Sequence, residues 1–347
     1  MDKVRAAVLG AAGYGGIELL RLLRSHPYVE VVLTAGHSSA GKPLDEVYGH
    51  LSGLDDRAIY DTDIERACEA ADVIFLAMPH GVGMEMVRVA VKAGRQVIDF
   101  SADFRLKDRA VYEEYYVPHK APELLETAVY GLPELHREEL VGAKLIAVPG
   151  CYPTGAILAL APAVREGLLE PLSIIVDSKS GVSGAGRSKL DLTTHFAEVN
   201  ESVSAYSVAK HRHTPEIDQE LSALGEQVRV TFVPHLIPMS RGILTTAYGS
   251  LRKSLTAGEI HELYCEAYAN EPFVHVLPLG KFPATKYATA TNHCFVGLTV
   301  DERAGRLIVV SAIDNLGKGL SGAAVQCLNV SRGWPETTAL EAVAPWP

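Results

Sequence analysis

The sequence predicts an α/β protein with a doubly wound parallel sheet in its N-terminal part, followed by an α+β part. Up to residue 150, short apolar strands alternate with helical patterns, which is the arrangement of a doubly wound sheet. Some of these strands, such as residues 73–78, are apolar along their whole length, as in parallel sheets covered on both faces. Beyond that point, longer strands rich in β-branched residues predict an antiparallel sheet covered on one face.

The first element is a strand, residues 4–9, that runs directly into a glycine-rich turn and then a helix with an apolar face. A strand, a glycine turn and a helix N-terminus together form a cradle for the pyrophosphate of a dinucleotide. The spacing here is GxxGxxG, a looser variant of GxGxxG, and a plain βα turn is the alternative. The candidate cofactor-binding residues of this turn are Gly10, Ala12, Gly13, Tyr14, Gly15 and Gly16.

The loop after the second predicted strand, residues 29–34, bears on the kind of dinucleotide. A carboxylate at this strand end would bind the ribose 2′-hydroxyl of NAD, but the sequence has none there. His37, Ser38 and Ser39 offer an imidazole and hydroxyls to a 2′-phosphate instead. The loop therefore favours NADP, and a polar loop without any cofactor contact is the alternative.

Cys151 is the single most informative residue. The apolar run at residues 145–148 predicts a short buried strand, a Pro-Gly turn ends it, and a helix is predicted over residues 154–168, with Tyr152 or Thr154 near its N-cap. One thiol thus lies between the carboxyl end of a strand and the N-terminus of a helix, where thiols become nucleophiles. A buried apolar cysteine is the alternative, but it requires neither the turn nor the helix start.

The loop at residues 180–187 follows a predicted strand, residues 173–178. It combines small residues, hydroxyls and a cation. Such a loop suits a phosphate or a carboxylate, and Ser183, Gly184 and Arg187 are the candidate residues. A flexible surface loop of the same composition is the alternative.

The string HRHTPEI at residues 211–217 is a second dense cluster of polar side chains. Pro215 suits the first turn of a helix running to about residue 224. Two imidazoles, His211 and His213, together with Glu216, can supply a general acid/base and a group that orients it. His-x-His is also a metal-ligand pair, although no third ligand motif is evident, and a solvated polar turn is the remaining alternative.

Length and composition bound the possible functions. A chain of 347 residues is long enough for two domains, and 48% hydrophobic with 21% charged residues describes a globular protein. A net charge of −10 without a basic block argues against a nucleic-acid partner, and no apolar run is long enough to span a membrane. Five widely spaced cysteines without metal-ligand spacing predict neither disulfides nor structural zinc and fit a reducing cytoplasm.

The C-terminal elements complete the domain prediction. Strands are predicted over residues 228–233, 242–251 and 307–313, and helices over residues 257–269 and 320–329. The last helix is expected to return to the first domain. We therefore predict a dinucleotide-binding domain at residues 1–150, completed by residues 318–347, and a catalytic and oligomerisation domain at residues 151–317.

Two strings together, PGCYPTG at residues 149–155 and HRHTPEI at residues 211–217, resemble the N-acetyl-gamma-glutamyl-phosphate reductase family of arginine biosynthesis. Segments 10–16, 101–105, 180–187 and 314–319 are similar to that family in the same order, so the resemblance covers nearly the whole chain. It implies an N-terminal Rossmann-type domain, a C-terminal α+β domain like that of glyceraldehyde-phosphate dehydrogenase, and NADP (NADPH) as cofactor. It also implies a homo-oligomer, a dimer or a tetramer.

The resemblance assigns roles to individual residues. The family's nucleophile falls on Cys151 and its acid/base on His213, while Glu216 matches a supporting carboxylate and His211 the neighbouring imidazole. An additional cofactor contact falls on Asn315. The 2′-phosphate contacts fall around residues 36–38, where many relatives carry Arg instead of His37 or Ser38. Apart from the roles implied by the resemblance, Arg105, Ser183, Gly184 and Arg187 are our candidate substrate contacts.

The expected reaction is NADPH-dependent reduction of N-acetyl-gamma-glutamyl phosphate to N-acetylglutamate 5-semialdehyde and phosphate, through a thioacyl intermediate on Cys151. Aspartate-semialdehyde dehydrogenase is one alternative, and its pocket should offer a carboxylate to the free α-amino group of its substrate. Reductases of carrier-protein-linked aminoadipyl phosphate are another, but they differ after the cysteine. A non-enzymatic NADPH sensor has no need of an activated thiol. Handover of the labile acyl phosphate from acetylglutamate kinase stays open.

Overall fold

Two seven-stranded sheets organise the chain, as described by a computed structural model for residues 3–188 and 191–346. Each sheet belongs to its own compact unit. Unit 1 comprises the residues up to Pro149 together with Leu320–Glu341, and unit 2 comprises Gly150–Gly319 together with the residues from Ala342 onward. The strands, in chain order, are β1 (Val4–Leu9), β2 (Val29–Ala35), β3 (Ile59–Tyr60), β4 (Val73–Leu76), β5 (Gln96–Asp99), β6 (Val129–Tyr130), β7 (Leu145–Ala147), β8 (Ile175–Ser180), β9 (Ser204–Ala205), β10 (Thr231–Leu236), β11 (Ile243–Ser250), β12 (Val274–Val276), β13 (Cys294–Asp301) and β14 (Arg306–Ile313).

The α-helices vary in length from single turns to the four turns of the helix that begins at Cys151. Short 3₁₀ turns and one π-type turn, Gly317–Ser321, connect several of them to the strands. The helices are α1 (Tyr14–Leu23), α2 (Leu44–Val47), α3 (Ile64–Ala70), α4 (Met84–Lys92), α5 (Arg109–Tyr115), α6 (Pro133–Leu140), α7 (Cys151–Arg165), α8 (Phe196–Val199), α9 (Thr214–Ser222), α10 (Ala257–Ala267) and α11 (Gly322–Ser331).

The sheet of unit 1 is doubly wound, as predicted. Its strand order is β3-β2-β1-β4-β5-β7-β6, and every adjacent pair is parallel. All four residues of β4 and of β5 are buried, because helices cover both faces of a parallel sheet. The chain returns to this unit in α11, which packs against α1 and α6 and is buried along its length.

The sheet of unit 2 is mixed rather than purely antiparallel, which corrects the expectation from the sequence. Its strand order is β12-β13-β14-β11-β8-β10-β9, and the pairs β8/β10 and β12/β13 are parallel. Strands β12 and β13 were not predicted from the sequence. Residues alternate between buried and half-buried along β11, so one face of this sheet is covered and the other is partly open.

Helix α7 covers the closed face of the unit 2 sheet, where it packs against β11 and β14. Residues 152–164 are all buried, which explains why the helix is apolar around its whole circumference. The Ser311 hydroxyl donates to the Gly155 carbonyl at 2.8 Å, so the first turns of α7 lie directly on the sheet. None of the helices in the described parts of the chain is both long and apolar enough to span a bilayer.

Candidate active site

The glycine turn between β1 and α1 is tightly packed against its own backbone. Gly10 has a φ of +89°, and a Cβ there would lie 2.2 Å from the Ala77 carbonyl oxygen. A Cβ on Gly16 would lie 2.2 Å from the Gly10 carbonyl oxygen. The amides of Gly10 and Ala11 donate to the Ala35 carbonyl at the end of β2. Glycine is therefore required at both positions by the shape of the turn itself.

The N-terminus of α1 fits the pyrophosphate of a dinucleotide. Gly13 is the N-cap residue with extended backbone, no side chain caps the helix, and its first turn carries no acidic residue. The first amides of a helix have no partner within the helix, and the helix dipole favours an anion at this end. The Tyr48 hydroxyl donates to the Ala12 carbonyl at 3.0 Å and so fixes the turn. The predicted cofactor residues from Gly10 to Gly16 thus form one cradle in unit 1.

The loop after β2 begins beside this cradle, because the Ala35 carbonyl accepts from the glycine turn. His37 and Ser38 are exposed, and Ser39 is buried. No carboxylate stands between Ala35 and Lys42. The loop offers exposed polar side chains without a competing negative charge, as binding of a 2′-phosphate requires, and the individual contacts stay predictions.

Arg105, predicted to contact substrate, is almost fully buried in unit 1, with 3% of its surface exposed. Its Nε donates to the Val148 carbonyl at 2.7 Å and its Nη2 to the Phe100 carbonyl at 2.9 Å. The guanidinium therefore braces the segments that follow β5 and β7. A role toward substrate stays a prediction.

Sequence reasoning gave no role to two buried carboxyls in the same segment. Asp99 accepts from the Ser101 hydroxyl at 2.6 Å, and burial together with the nearby Asp103 raises the pKa of Asp99 to about 7. Asp103 accepts from the Tyr112 hydroxyl at 2.7 Å and from the Gly81 amide. Both carboxyls stabilise the loops at this edge of the sheet, and a single sequence carries no signal for their burial.

Cys151 is the first residue of α7, not a residue ahead of the helix. The helix starts three residues earlier than predicted, and Gly150, rather than Tyr152 or Thr154, is its N-cap. Pro153 is compatible with this start, because first-turn amides have no partner within the helix. The Thr154 hydroxyl donates back to the Gly150 carbonyl at 3.0 Å. The half-buried thiol therefore lies in the first turn, where the helix dipole favours a thiolate.

Glu216 connects this helix to the predicted histidine cluster. It lies in the first turn of α9, is 1% exposed, and its Oε1 accepts the Gly150 amide at 2.7 Å. His213 is the N-cap residue of the same helix. The Glu216 carboxylate therefore joins the N-termini of α7 and α9. It binds the residue directly before Cys151, and it lies three residues after His213.

His211 and His213 have different electrostatic environments. The His211 Nδ1 accepts the His213 backbone amide at 3.1 Å, so a neutral His211 carries its proton on Nε2. Burial, with a smaller effect of the Arg212 charge, lowers the pKa of His211 to about 4. The two imidazole rings are 4.8 Å apart. His211 is thus neutral at physiological pH, which leaves His213 as the candidate for proton transfer.

Two tyrosines that the sequence analysis did not select belong to the same cluster. The Tyr206 hydroxyl donates to the Tyr152 hydroxyl at 3.0 Å, and the Tyr152 hydroxyl donates to the His235 carbonyl at 3.1 Å. Burial, and to a lesser degree the negative charge of a Cys151 thiolate, raises the pKa of Tyr206 to about 12. Tyr206 follows an exposed stretch of chain, so no sequence pattern marks it.

Asn315, predicted to contact cofactor, organises the predicted anion-binding loop. It is 1% exposed; its Nδ2 donates to the Ser183 hydroxyl at 2.9 Å and its Oδ1 accepts the Gly242 amide at 2.8 Å. Ser183 and Gly184 lie in a short 3₁₀ turn. Arg187 is exposed further along this loop. Unit 2 thus joins Asn315 to Ser183, and the roles of Gly184 and Arg187 toward substrate stay predictions.

The segment that carries Asn315 also reaches Cys151. A Cβ on Gly319 would lie 2.9 Å from the Cβ of Cys151, and the Gly319 amide donates to the Asp314 carbonyl at 2.9 Å. Unit 2 therefore places the thiol, both histidines and the glutamate at the N-terminus of α7, and the segment that follows Asn315 contacts it through Gly319. In the described residues, no group of three or more His, Cys, Asp or Glu side chains is placed to hold a metal ion.

Comparisons with known proteins follow the division into two units. The family described as "Semialdehyde dehydrogenase, NAD binding domain" matches residues 5–143, and "Semialdehyde dehydrogenase, dimerisation domain" matches residues 151–315. Aspartate semialdehyde dehydrogenase II complexed with ASA from Vibrio cholerae has a TM-score of 0.72 at 16% identity, covering 95% of this chain and 98% of that one. The structure of aspartate semialdehyde dehydrogenase with NADP from Candida albicans has a TM-score of 0.71 at 17% identity, with the same coverage of both chains. At such identities the likeness shows the shared fold.

The matched families, the fold and a thiol at a helix N-terminus define a semialdehyde dehydrogenase. The chain is also 53% identical to an N-acetyl-gamma-glutamyl-phosphate reductase of Pelotomaculum thermopropionicum over 97% of both chains. It is 51% identical to the reductase of Geobacter sulfurreducens over 98% of this chain and 99% of that one. The chain therefore belongs to the N-acetyl-gamma-glutamyl-phosphate reductase family, which confirms the resemblance seen in its motifs.

Proposed function

We propose that the chain catalyses the NADPH-dependent reduction of N-acetyl-gamma-glutamyl phosphate to N-acetylglutamate 5-semialdehyde and phosphate, a step of arginine biosynthesis. One observation carries the proposal: the Gly150–Glu216 hydrogen bond holds the N-terminus of the Cys151 helix against the N-terminus of the His213 helix. A thiol and an imidazole joined in this way can form and resolve a thioester. Relatives that are about half identical over nearly the full length, and named for this reaction, support the substrate assignment.

The first step uses the position of Cys151. As a thiolate in the first turn of α7, it attacks the γ-carbonyl of the acyl phosphate. A carbon–sulfur bond forms, the carbon–oxygen bond to phosphate breaks, and phosphate leaves with the bonding electron pair. The loop of Ser183 and Gly184, held by Asn315, offers the Ser183 hydroxyl to the departing phosphate, and Arg187 adds a cation.

The second step uses His213. Since His211 is neutral and its Nδ1 is occupied by the His213 amide, His213 is the imidazole that exchanges a proton with the reacting group. As imidazolium it stabilises the Cys151 thiolate, and it protonates the oxyanion that develops once the thioester is reduced. It takes this proton back when the carbon–sulfur bond breaks and the semialdehyde leaves.

The residues of unit 1 fit NADPH. The cradle from Gly10 to Gly16 would hold its pyrophosphate, and His37, Ser38 and Ser39 would face its 2′-phosphate. When bound, the cofactor supplies the hydride that reduces the thioester to the oxidation level of an aldehyde. Unit 1 is accordingly the dinucleotide-binding domain of this proposal, and unit 2 is the catalytic domain.

The test is the reverse reaction with purified enzyme: phosphate-dependent oxidation of N-acetylglutamate 5-semialdehyde, followed by absorbance of the reduced cofactor. We expect turnover that requires phosphate and is faster with NADP than with NAD. Aspartate semialdehyde, which carries a free α-amino group, is the matched control and should be a poor substrate. A preference for aspartate semialdehyde would replace the proposed substrate. NADPH binding without turnover of either compound would favour a sensor.

Assembly and location are part of the same proposal. We infer a homo-oligomer, a dimer or a tetramer, formed through unit 2, because its matched family is described as a dimerisation domain and one sheet face is half-buried along β11. A cytoplasmic location agrees with five cysteines, none of which forms a disulfide in the described residues. Since the acyl phosphate is labile, direct handover from acetylglutamate kinase is a further expectation, testable by adding free kinase to a coupled assay.

A further inference from the structure

Two segments of unit 2 are pinned together at two points that bracket the reactive residues. On the segment of the thiol, Cys151 lies between Gly150 and Tyr152. On the segment of the histidines, residues 211–213 lie between Tyr206 and Glu216. Glu216 binds the Gly150 amide at 2.7 Å, and the Tyr206 hydroxyl binds that of Tyr152 at 3.0 Å. These two hydrogen bonds therefore hold the segments together on both sides of the reactive residues, in addition to the packing of α7 against α9.

Tyr206 is itself anchored to the sheet. Its amide donates to the Pro234 carbonyl at 3.1 Å, next to the point where β9 pairs with β10. Its hydroxyl reaches Tyr152, which in turn donates to the His235 carbonyl of β10. The Tyr206 ring also lies against His211, with ring centroids 5.5 Å apart. The side chain therefore links the sheet, the first turn of α7 and the histidine-bearing segment.

The chain between Tyr206 and His211 holds an unfavourable backbone conformation. Ser207 and Ala209 have φ values of 46° and 57°, in the left-handed region that residues with a Cβ rarely adopt. Such conformations persist only when surrounding contacts enforce them. The contacts on either side are the Tyr206 hydroxyl and the packing of His211 between the two tyrosine rings.

We propose that Tyr206 is a positioning residue, whose hydroxyl holds the histidine-bearing segment against the N-terminus of α7 that carries Cys151. The role rests on the proposed function only in taking Cys151 as nucleophile and His213 as its proton partner. Loss of the hydroxyl would release the pin, let the strained turn relax, and move the imidazole away from the thiol. An imidazolium close to a thiol favours the thiolate, so the reactivity of Cys151 shows whether the Tyr206–Tyr152 hydrogen bond keeps the imidazole near the thiol.

The experiment is alkylation of Cys151 by iodoacetamide as a function of pH, followed by mass spectrometry on the full-length protein without substrate. In Tyr206→Phe the ring and its packing remain and only the hydroxyl is lost. We expect the alkylation rate at neutral pH to fall about tenfold, with the midpoint of its pH profile shifted upward. The kcat should fall by a similar factor, and the KM for NADPH should stay within about twofold of wild type, because the glycine cradle lies in unit 1.

Tyr268→Phe is the matched control. It removes another buried tyrosine hydroxyl bonded to α7, the one that donates to the Leu158 carbonyl at 2.6 Å, about two turns away from Cys151. It should lower thermal stability as Tyr206→Phe does and leave the alkylation profile unchanged. If both variants unfold at lower temperature and neither changes the profile, Tyr206 is merely structural and the proposal is wrong.

A second variant covers the case in which Tyr206→Phe folds poorly. Tyr152→Phe breaks the same hydroxyl pair from the other side, so it should shift the alkylation profile in the same direction. Combining both substitutions should add less than about twofold to the effect of Tyr152→Phe, since that variant already lacks the bond from Tyr206 as well as its own bond to the His235 carbonyl. Additive effects would contradict the pin. If the wild-type enzyme is inactive but its Cys151 alkylation still depends on Tyr206, the proposed function is wrong and the positioning role of Tyr206 is retained.

Discussion

Helices α1 and α7 begin in nearly the same way and serve different chemistry. Each follows the last residues of a parallel strand, and each has a glycine N-cap with extended backbone, Gly13 at φ −79° and Gly150 at φ −66°. Neither has a side-chain cap or an acidic residue in its first turn. At both helix N-termini the positive end of the helix dipole is therefore not compensated by a side chain of the first turn.

The difference lies in what each sequence places at that end. The turn before α1 is built of glycines so that the backbone stays open to an external anion. At α7 the first helical residue is Cys151, so the anion that the helix favours is its own thiolate, and Glu216 takes the Gly150 amide. Under the proposed function, the same kind of helix start binds a cofactor at α1 and activates a nucleophile at α7, and the residue type at the start makes the difference.

Removing the thiol should have the largest effect. Cys151→Ser replaces sulfur with a hydroxyl that stays protonated at neutral pH, and we expect kcat to fall by about 10³-fold or more, as is usual when a nucleophile is lost. NADPH affinity, measured by fluorescence titration, should stay near wild type because the glycine cradle is intact. Cys265→Ser, which removes an exposed thiol, is the control and should keep full activity. Loss of NADPH binding in Cys151→Ser would mean that the two helix termini are not independent.

The reciprocal change is Gly10→Ala. Its Cβ would lie 2.2 Å from the Ala77 carbonyl oxygen at a φ of +89°, so the turn must shift. We expect NADPH affinity to fall about tenfold or more, while iodoacetamide still labels Cys151 at the wild-type rate. Gly94→Ala is matched to it, since Gly94 also has a positive φ, +75°, but open space around its Cβ. If both variants lose the same NADPH affinity, the positive φ alone explains the loss and the close contact of Gly10 with Ala77 has no specific effect.

Most of the fold could be predicted because its signals are local. Apolar strands, a glycine turn and a Pro-Gly turn mark β1, β4 and β7 with errors of at most two residues. The start of α7 was predicted three residues too late because the N-cap was expected at a side chain with a hydroxyl, Tyr152 or Thr154, whereas the N-cap is Gly150 and Pro153 lies in the first turn. The parallel pairs in the second sheet were missed since pairing direction depends on distant strands, about which one sequence says little.

The candidate site divides in the same way. Cys151, His213 and Glu216 stand in dense strings of reactive residues, so they could be selected as candidates from the sequence alone. Tyr206 gains its place only through contacts with Tyr152 and the sheet, which come from distant parts of the chain. Asn315 was expected to contact cofactor, and the structure adds that its amide binds Ser183 and Gly242. Burial and pairing of this kind arise from tertiary packing, which local patterns do not encode.

A difference in pH sensitivity is also expected between the two units. Next to α7, burial lowers the pKa of His211 from 6.5 to about 4, so the folded chain binds fewer protons than the unfolded chain between these values. This contribution to stability is complete above pH 6.5 and is lost as the pH falls toward 4, by about 3 kcal/mol at most. Asp99 in unit 1 has the opposite sign, because its raised pKa costs stability as the pH rises toward 7.

His211→Asn isolates this contribution, because an asparagine carbonyl can still accept the His213 amide two residues on. We expect its free energy of unfolding, from denaturant titrations at several pH values, to fall less steeply than that of wild type below pH 6.5. His293→Asn is the control: burial also lowers the pKa of His293 to about 4, so its stability curve should flatten too, yet Cys151 alkylation should be unchanged. If the free energy of unfolding of His211→Asn depends on pH as that of wild type does, the His211 imidazole is not held neutral beside α7, and the predicted difference in pH sensitivity is wrong.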